Sequence, residues 1–166
     1  TLKLACNAML SAWSLGAARE PLASNAGVAT VLSLGGTRAN GQRWLMTEII
    51  ASGAGASASA DGTSGISTDV GNARNTPVEV IEAEAPLRVD TYAIRQGSGG
   101  AGRFNGGHGV RRVYLLLEGQ GSVSYRGERH VSRARGSEGG GDGAPSAPPH
   151  ETSQGPLDRL PPPAPA

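Results

Sequence analysis

The sequence predicts a mainly β member of the α+β class, with a short N-terminal helix, antiparallel strands and long glycine-rich loops. Three observations carry that prediction. Stretches of β-branched and apolar residues are short and bounded by glycine or turn signals. Gly numbers 26 and Phe 1, a composition unlike a densely packed helical bundle. One segment near the start carries apolar residues at helical spacing. At 166 residues the chain fits one domain, expected over 1–135, with 136–166 as a low-complexity tail.

Taken in order, Leu2, Leu4, Ala5, Met9, Ala12, Trp13 and Leu15 recur at three- and four-residue spacings. They predict a helix over 2–18, stopped by Gly16 and Pro21. Cys6 on that helix reads as a small core residue. "GVATVLSLGG" (27–36) predicts a strand, and Asn40-Gly41 is a strong hairpin-turn signal leading into its partner, 43–52. Residues 52–77 hold almost nothing large to bury and form either a disordered segment or a long ordered loop pinned from outside. "VEVIEAEAPLRVDTYAIR" (78–95) predicts two strands broken at Pro86, the second with Leu87, Val89, Thr91 and Ala93 on one face. Residues 109–131 predict a hairpin turning at Glu118-Gly119-Gln120-Gly121. From Gly136 onward, eight prolines and six glycines leave too little apolar area to offset ordering entropy, so a disordered tail is expected.

The formal charge of +1 argues against a nucleic-acid surface, although arginines number fourteen and lysine one. No apolar run approaches the roughly 18–20 residues of a membrane span. A lone cysteine cannot make an intramolecular disulfide, so a reducing, cytoplasmic setting is the default expectation. The first twenty residues are signal-like, but Asn7, Ser11 and Ser14 interrupt the apolar segment. The initial Thr suggests a fragment or a processed product.

Gly97-Ser98-Gly99-Gly100-Ala101-Gly102 spells the G-x-G-x-x-G of a dinucleotide cradle. That motif needs a helix opening at its last glycine. Arg103-Phe104-Asn105-Gly106-Gly107-His108-Gly109 follows instead, and each interior glycine would cost a helix about 1 kcal/mol. A phosphate-binding loop fails too, since His108-Gly109 stand where Lys-Ser/Thr is required. The glycines therefore signal positive-φ turns or close approach of another backbone or a ligand. Ser64 in "GTSG" lacks both the nucleophile-elbow pattern and Asp/His partners in chain order.

Several spaced motifs together resemble the C-terminal half of the hydantoinase B/oxoprolinase family, which is itself similar to a large subunit of acetone and acetophenone carboxylases. They are Gly53-Ala54-Gly55-Ala56, Asp61-Gly62, the block Asn72, Asn75, Pro77, Glu79 and Glu82, then Ser98-Gly99-Gly100, Gly102-Arg103 and Gly106-Gly107, and "GGGDGAPS" (139–146). The likeness covers roughly 40–146. Departures are Ser52 for glycine, Ser57-Ala58 where arginine is usual, Gly97 for an acidic residue, Asn105 for arginine, and His108 for an apolar residue.

The resemblance implies ATP-dependent opening of a cyclic amide, a hydantoin or 5-oxoproline, at a site completed by a hydantoinase A/ATPase-like partner subunit. It implies ATP on that partner and a divalent metal on His and Asp residues of an N-terminal half that these residues do not include. No cofactor is therefore expected on this chain. His108, His130 and His150 are isolated, without metal-ligand spacing. A ketone carboxylase-type subunit using an enolate nucleophile, or a non-catalytic remnant or interaction module, are the alternatives.

Catalytic residues are not assigned by the sequence; substrate-binding candidates are Asp61, Asn72, Arg74, Asn75, Glu82, Ser98 and Arg103. Asn72, Asn75 and Glu82 either hydrogen-bond an amide or carboxylate, or make turns before Pro77 and a solvated strand position. Arg74 either meets an anionic group or pairs with Glu79 or Glu82. Arg103 is expected on backbone carbonyls or a carboxylate, Asp61 in a turn or the site, and His108 at a surface or interface.

Overall fold

The computed structural model describes residues 2–16, 21–27 and 29–147. Helix α1 (Leu2–Gly16) opens the chain, followed by β1 (Thr30–Thr37), β2 (Arg43–Ile50), α2 (Val78–Glu84), β3 (Leu87–Ile94), β4 (Val110–Leu116) and β5 (Gln120–Arg126). Strand outweighs helix and every pairing is antiparallel, as the composition predicts.

β1 and β2 form the predicted hairpin, with Thr37 opposite Arg43 and Gly41 at φ +85° in the turn. Asn40 Oδ1 accepts the Gln42 N–H at 3.0 Å, closing an Asx turn. β5 pairs with the other side of β1, giving the sheet order β2-β1-β5. β3 and β4 form a separate two-stranded sheet.

Two expectations are corrected here. Residues 78–84 are helix, not strand: Val78, Ile81 and Ala85 share a helical stripe, and Ile81 and Ala85 are buried against the sheets. Val-Glu-Val-Ile mimics a strand's alternation over too few residues to separate the two periods. Residues 109–131 are two strands but not a hairpin, because β4 pairs with β3 and β5 with β1. The glycines settle the second case. Gly36 lies opposite Gly121, and a Cβ on Gly36 would run into the Gln120 backbone.

The core is small: Leu32, Leu34, Trp44, Ile81, Ala85 and Leu87, flanked by Met46, Ile50, Val89, Tyr114, Leu116 and Tyr125. It lies where both sheets meet α2. On β3, Leu87 is buried and Val89 and Thr91 half-buried, but Asp90 is an extra residue in the register and Ala93 is exposed. In α1 the apolar residues face outward, Trp13 and Leu15 among them, while Asn7 and Ser14 are buried. Ser14 Oγ accepts the Leu22 N–H at 2.8 Å, so the helix is tied by polar contacts. Cys6 is half-buried.

The segment from 136 onward begins as an ordered loop. Gly141 N–H donates to Ala101 O at 2.7 Å, Gly143 N–H to Ala134 O at 2.9 Å, and Ala144 N–H to Ser98 O at 3.0 Å. Backbone hydrogen bonds order it without requiring apolar burial. Residues 148–166, including His150, lie outside the described residues. None of the described helices is long and apolar enough to cross a membrane.

Candidate functional site

The glycine loops stack main chain on main chain. Ala54 donates to Thr63 O at 2.9 Å, Gly107 to Ala54 O at 2.8 Å, Gly62 to Asn105 O at 2.8 Å and Gly106 to Gly100 O at 2.8 Å. A Cβ on Gly53 would strike the Gly107 carbonyl, and one on Gly107 the Thr63 carbonyl. Only glycine lets these backbones approach so closely. The loop at 52–77 is thus ordered, pinned by 97–109 and by Ala23, whose N–H donates to Ala56 O at 2.9 Å.

Three of the sequence candidates hold this stack or flank it. Asp61 Oδ1 accepts the Asn105 N–H at 2.6 Å. Ser98 Oγ donates to Arg95 O at 2.7 Å and accepts the Gly109 N–H at 2.9 Å. Arg103 is exposed, its guanidinium 5.5 Å from the Phe104 ring centroid instead of on a carbonyl or carboxylate. His108 is half-buried inside the stack, not on the surface: its Nδ1 accepts the Gly99 N–H at 3.0 Å and its own N–H donates to Ser64 Oγ at 2.9 Å.

Asn72, Arg74 and Asn75 come together. They line an open cleft of about 340 Å³, with Ala51, Gly65, Ile66 and Ser67 forming the opposite wall. The cleft is built where 52–77 leaves the glycine stack, between Ser52, bridged to Ile66 at 2.8 and 3.1 Å, and the start of α2. Lys3 of α1 reaches the same loop, donating to Ser67 Oγ at 3.0 Å and to the Thr68 carbonyl. Glu82 is elsewhere: its Oε1 accepts the Val89 N–H at 2.8 Å, joining α2 to β3. Neither Glu79 nor Glu82 pairs with Arg74 among the described residues.

Behind the cleft runs a polar chain that sequence reasoning missed. Asn75 Nδ2 donates to the Tyr92 hydroxyl. The Arg112 guanidinium lies 4.0 Å from the Tyr92 ring centroid and pairs with Glu48. Both ends of that pair are inside, at 2% and 1% side-chain exposure. Arg112 also donates to the Tyr114 hydroxyl at 3.0 Å, which donates in turn to Glu48 Oε2 at 3.3 Å. Burial pushes the Tyr114 phenol above its ordinary value, with the Arg112 charge pulling the other way. The one sequence cue was a charged glutamate in the largely apolar "LMTEII".

Chemically, two carboxamides and a guanidinium offer donors, acceptors and a positive charge, but no general base or nucleophile. Among the described residues no three His, Cys, Asp or Glu side chains gather as a metal centre would require. The cleft can therefore bind and orient a small polar molecule, and its own donor set does not suit a divalent metal.

Comparison with known proteins agrees with the motifs. The family model described as hydantoinase B/oxoprolinase matches residues 1–159. A 5-oxoprolinase of Dictyostelium discoideum is 39% identical over 93 residues, 56% of this chain and 7% of its own length. A Pseudomonas protein assigned as a D-/L-hydantoinase of the B type is 33% identical over 95 residues, 57% of this chain and 16% of its own. A nucleotide-free acetone carboxylase structure superposes with a TM-score of 0.53 at 25% identity, covering 66% of this chain and 15% of that one. The chain thus spans a small fraction of the length of each of these three proteins.

Proposed function

The chain belongs to the hydantoinase B/oxoprolinase family, and on that premise we propose that it is part of a subunit that hydrolyses a cyclic amide, a hydantoin or 5-oxoproline. ATP is consumed on a hydantoinase A/ATPase-like partner subunit, and the divalent metal is held by residues outside this chain. The observation that carries the reading is the convergence of Asn72, Arg74 and Asn75 on one cleft.

A cyclic amide presents a carbonyl acceptor and a ring N–H, and 5-oxoproline adds a carboxylate. With its Nδ2 engaged by Tyr92, Asn75 has its Oδ1 available for a ring N–H. Asn72 offers a donor to the carbonyl, and Arg74 a guanidinium for the carboxylate. Water adds to the carbonyl carbon, the ring C–N bond breaks and the nitrogen takes the proton, as the amine of opened 5-oxoproline or the ureido N–H of an opened hydantoin. These side chains hold the ring; the groups that activate carbonyl and water lie outside the cleft.

The test is turnover of the assembled enzyme on 5-oxoproline and on unsubstituted hydantoin, with ADP and ring-opened product both measured. Arg74→Gln is expected to raise KM for 5-oxoproline about tenfold and to leave hydantoin nearly unaffected. Equal KM values for wild type and variant on both substrates would sink the assignment of the cleft. The acetone carboxylase likeness favours a second reading, carbon–carbon bond formation between an enolate and a carboxyl donor. Bicarbonate-dependent loss of acetone, without ring opening, would select it.

A further inference from the structure

We propose that a second cleft, between α1 and the segment 129–135, binds a phosphate-class oxyanion. This inference is independent of the cyclic-amide reading. The cleft has a volume of about 450 Å³, within the range of small-ligand sites. Arg129, Arg133 and Arg135 line it against a single acid, Asp142. Asp142 is already engaged, its Oδ1 accepting the Gly136 N–H at 3.1 Å. Ser11 and Ser24 add hydroxyls on the α1 side, 3.2 Å apart.

Arg129 is the built part of the site. Its backbone sits at φ +63°, a conformation that costs any residue with a side chain. That twist sends the guanidinium inward to pack over Gly27, where a Cβ would meet Arg129 at 3.4 Å. There it donates to Asn7 Oδ1 at 3.0 Å and to Arg133 O at 3.2 Å, both neutral acceptors, while its Nε has no partner. Among the described residues no carboxylate pairs with it. A strained backbone thus holds a half-buried positive charge beside two more, with only Asp142 in the cleft to offset the three. Guanidinium groups with hydroxyls nearby match the several acceptor oxygens of phosphate.

Inorganic phosphate and, separately, acetate are titrated into the intact protein at low ionic strength, with binding read by calorimetry. Saturable phosphate binding, tighter than acetate, is expected. Arg133→Gln with Arg135→Gln should weaken it about tenfold or more, while Arg88→Gln, on exposed β3 outside the cleft, should not. Asp142→Asn keeps the acceptor for Gly136 and removes the opposing charge, so it should tighten binding. No saturable phosphate binding would overturn the proposal. So would equal or tighter acetate binding, an unchanged double variant whose circular dichroism is native, or no gain in Asp142→Asn.

Discussion

The sheets around Leu34, Trp44 and Ile81 and the glycine stack around Gly53 and Gly107 are two solutions to one shortage. The chain has few large apolar residues, and those it buries gather where the two sheets meet α2. There the hydrophobic effect holds the fold, and a lost methyl group is partly absorbed by neighbours changing rotamer. In the stack there are almost no side chains to adjust. Backbone amides and carbonyls hold each other, and shape follows from the absence of Cβ atoms. The core tolerates change in degrees, whereas the stack either closes or does not.

The sharpest way to break this contrast is Gly107→Ala. Its methyl would meet the Thr63 backbone, which cannot rotate away. Amide exchange protection should vanish across 52–65 and 97–109 together, while β1 and β2 stay protected. Protection retained in both loops would show that the stack can yield. Next comes Arg112→Met, which strands the Glu48 carboxylate inside and should cost about 3–5 kcal/mol in denaturant unfolding. Adding Glu48→Leu should recover most of that loss; a double variant as unstable as the single one would contradict it.

Ile81→Ala tests the core, with an expected loss of about 2–5 kcal/mol and no selective change in loop protection. Gly41→Ala sharpens the comparison from the other side. A Cβ there meets nothing within 4 Å, so only the φ of +85° is disturbed. About 1 kcal/mol is expected, read as a small shift in the urea midpoint. The smallest effect is in pH. The Tyr114 phenol is raised in the folded state by burial, so its contribution is full below the ordinary value of 10.0 and lost as pH rises through the folded value. Tyr114→Phe should lessen the fall in stability above pH 10.0, and an identical fall would exclude this residue as its source.

Sequence made the β1–β2 hairpin legible because Asn40-Gly41 is a local signal between two β-branched runs. It failed at 78–84 because seven residues do not separate a period of two from one of 3.6. It failed again at β4 and β5, since pairing partners are non-local and a glycine turn looks alike whether the chain folds back or changes sheet. In the site, Asn72, Arg74 and Asn75 were legible as an unusual polar density in one short stretch. Glu82 and Ser98 were legible as polar but not as to partner, because the amides they bind come from β3 and from beyond the glycine motif. Glu48 and Arg112 lie 64 residues apart in sequence, and only the fold shows that each answers the other's charge.

The main-chain character of the stack has one last consequence. Where side chains separate two layers, each substitution resets the gap, and the distance drifts as the sequence does. Here Thr63, Ala54 and Gly107 are joined to one another through peptide groups. The spacing is therefore a constant of peptide geometry, near the roughly 4.8 Å between hydrogen-bonded strands. The stack works as a ruler, fixing how far the Ala54–Thr63 turn of one loop stands from Gly107 of the other whatever residues decorate either side.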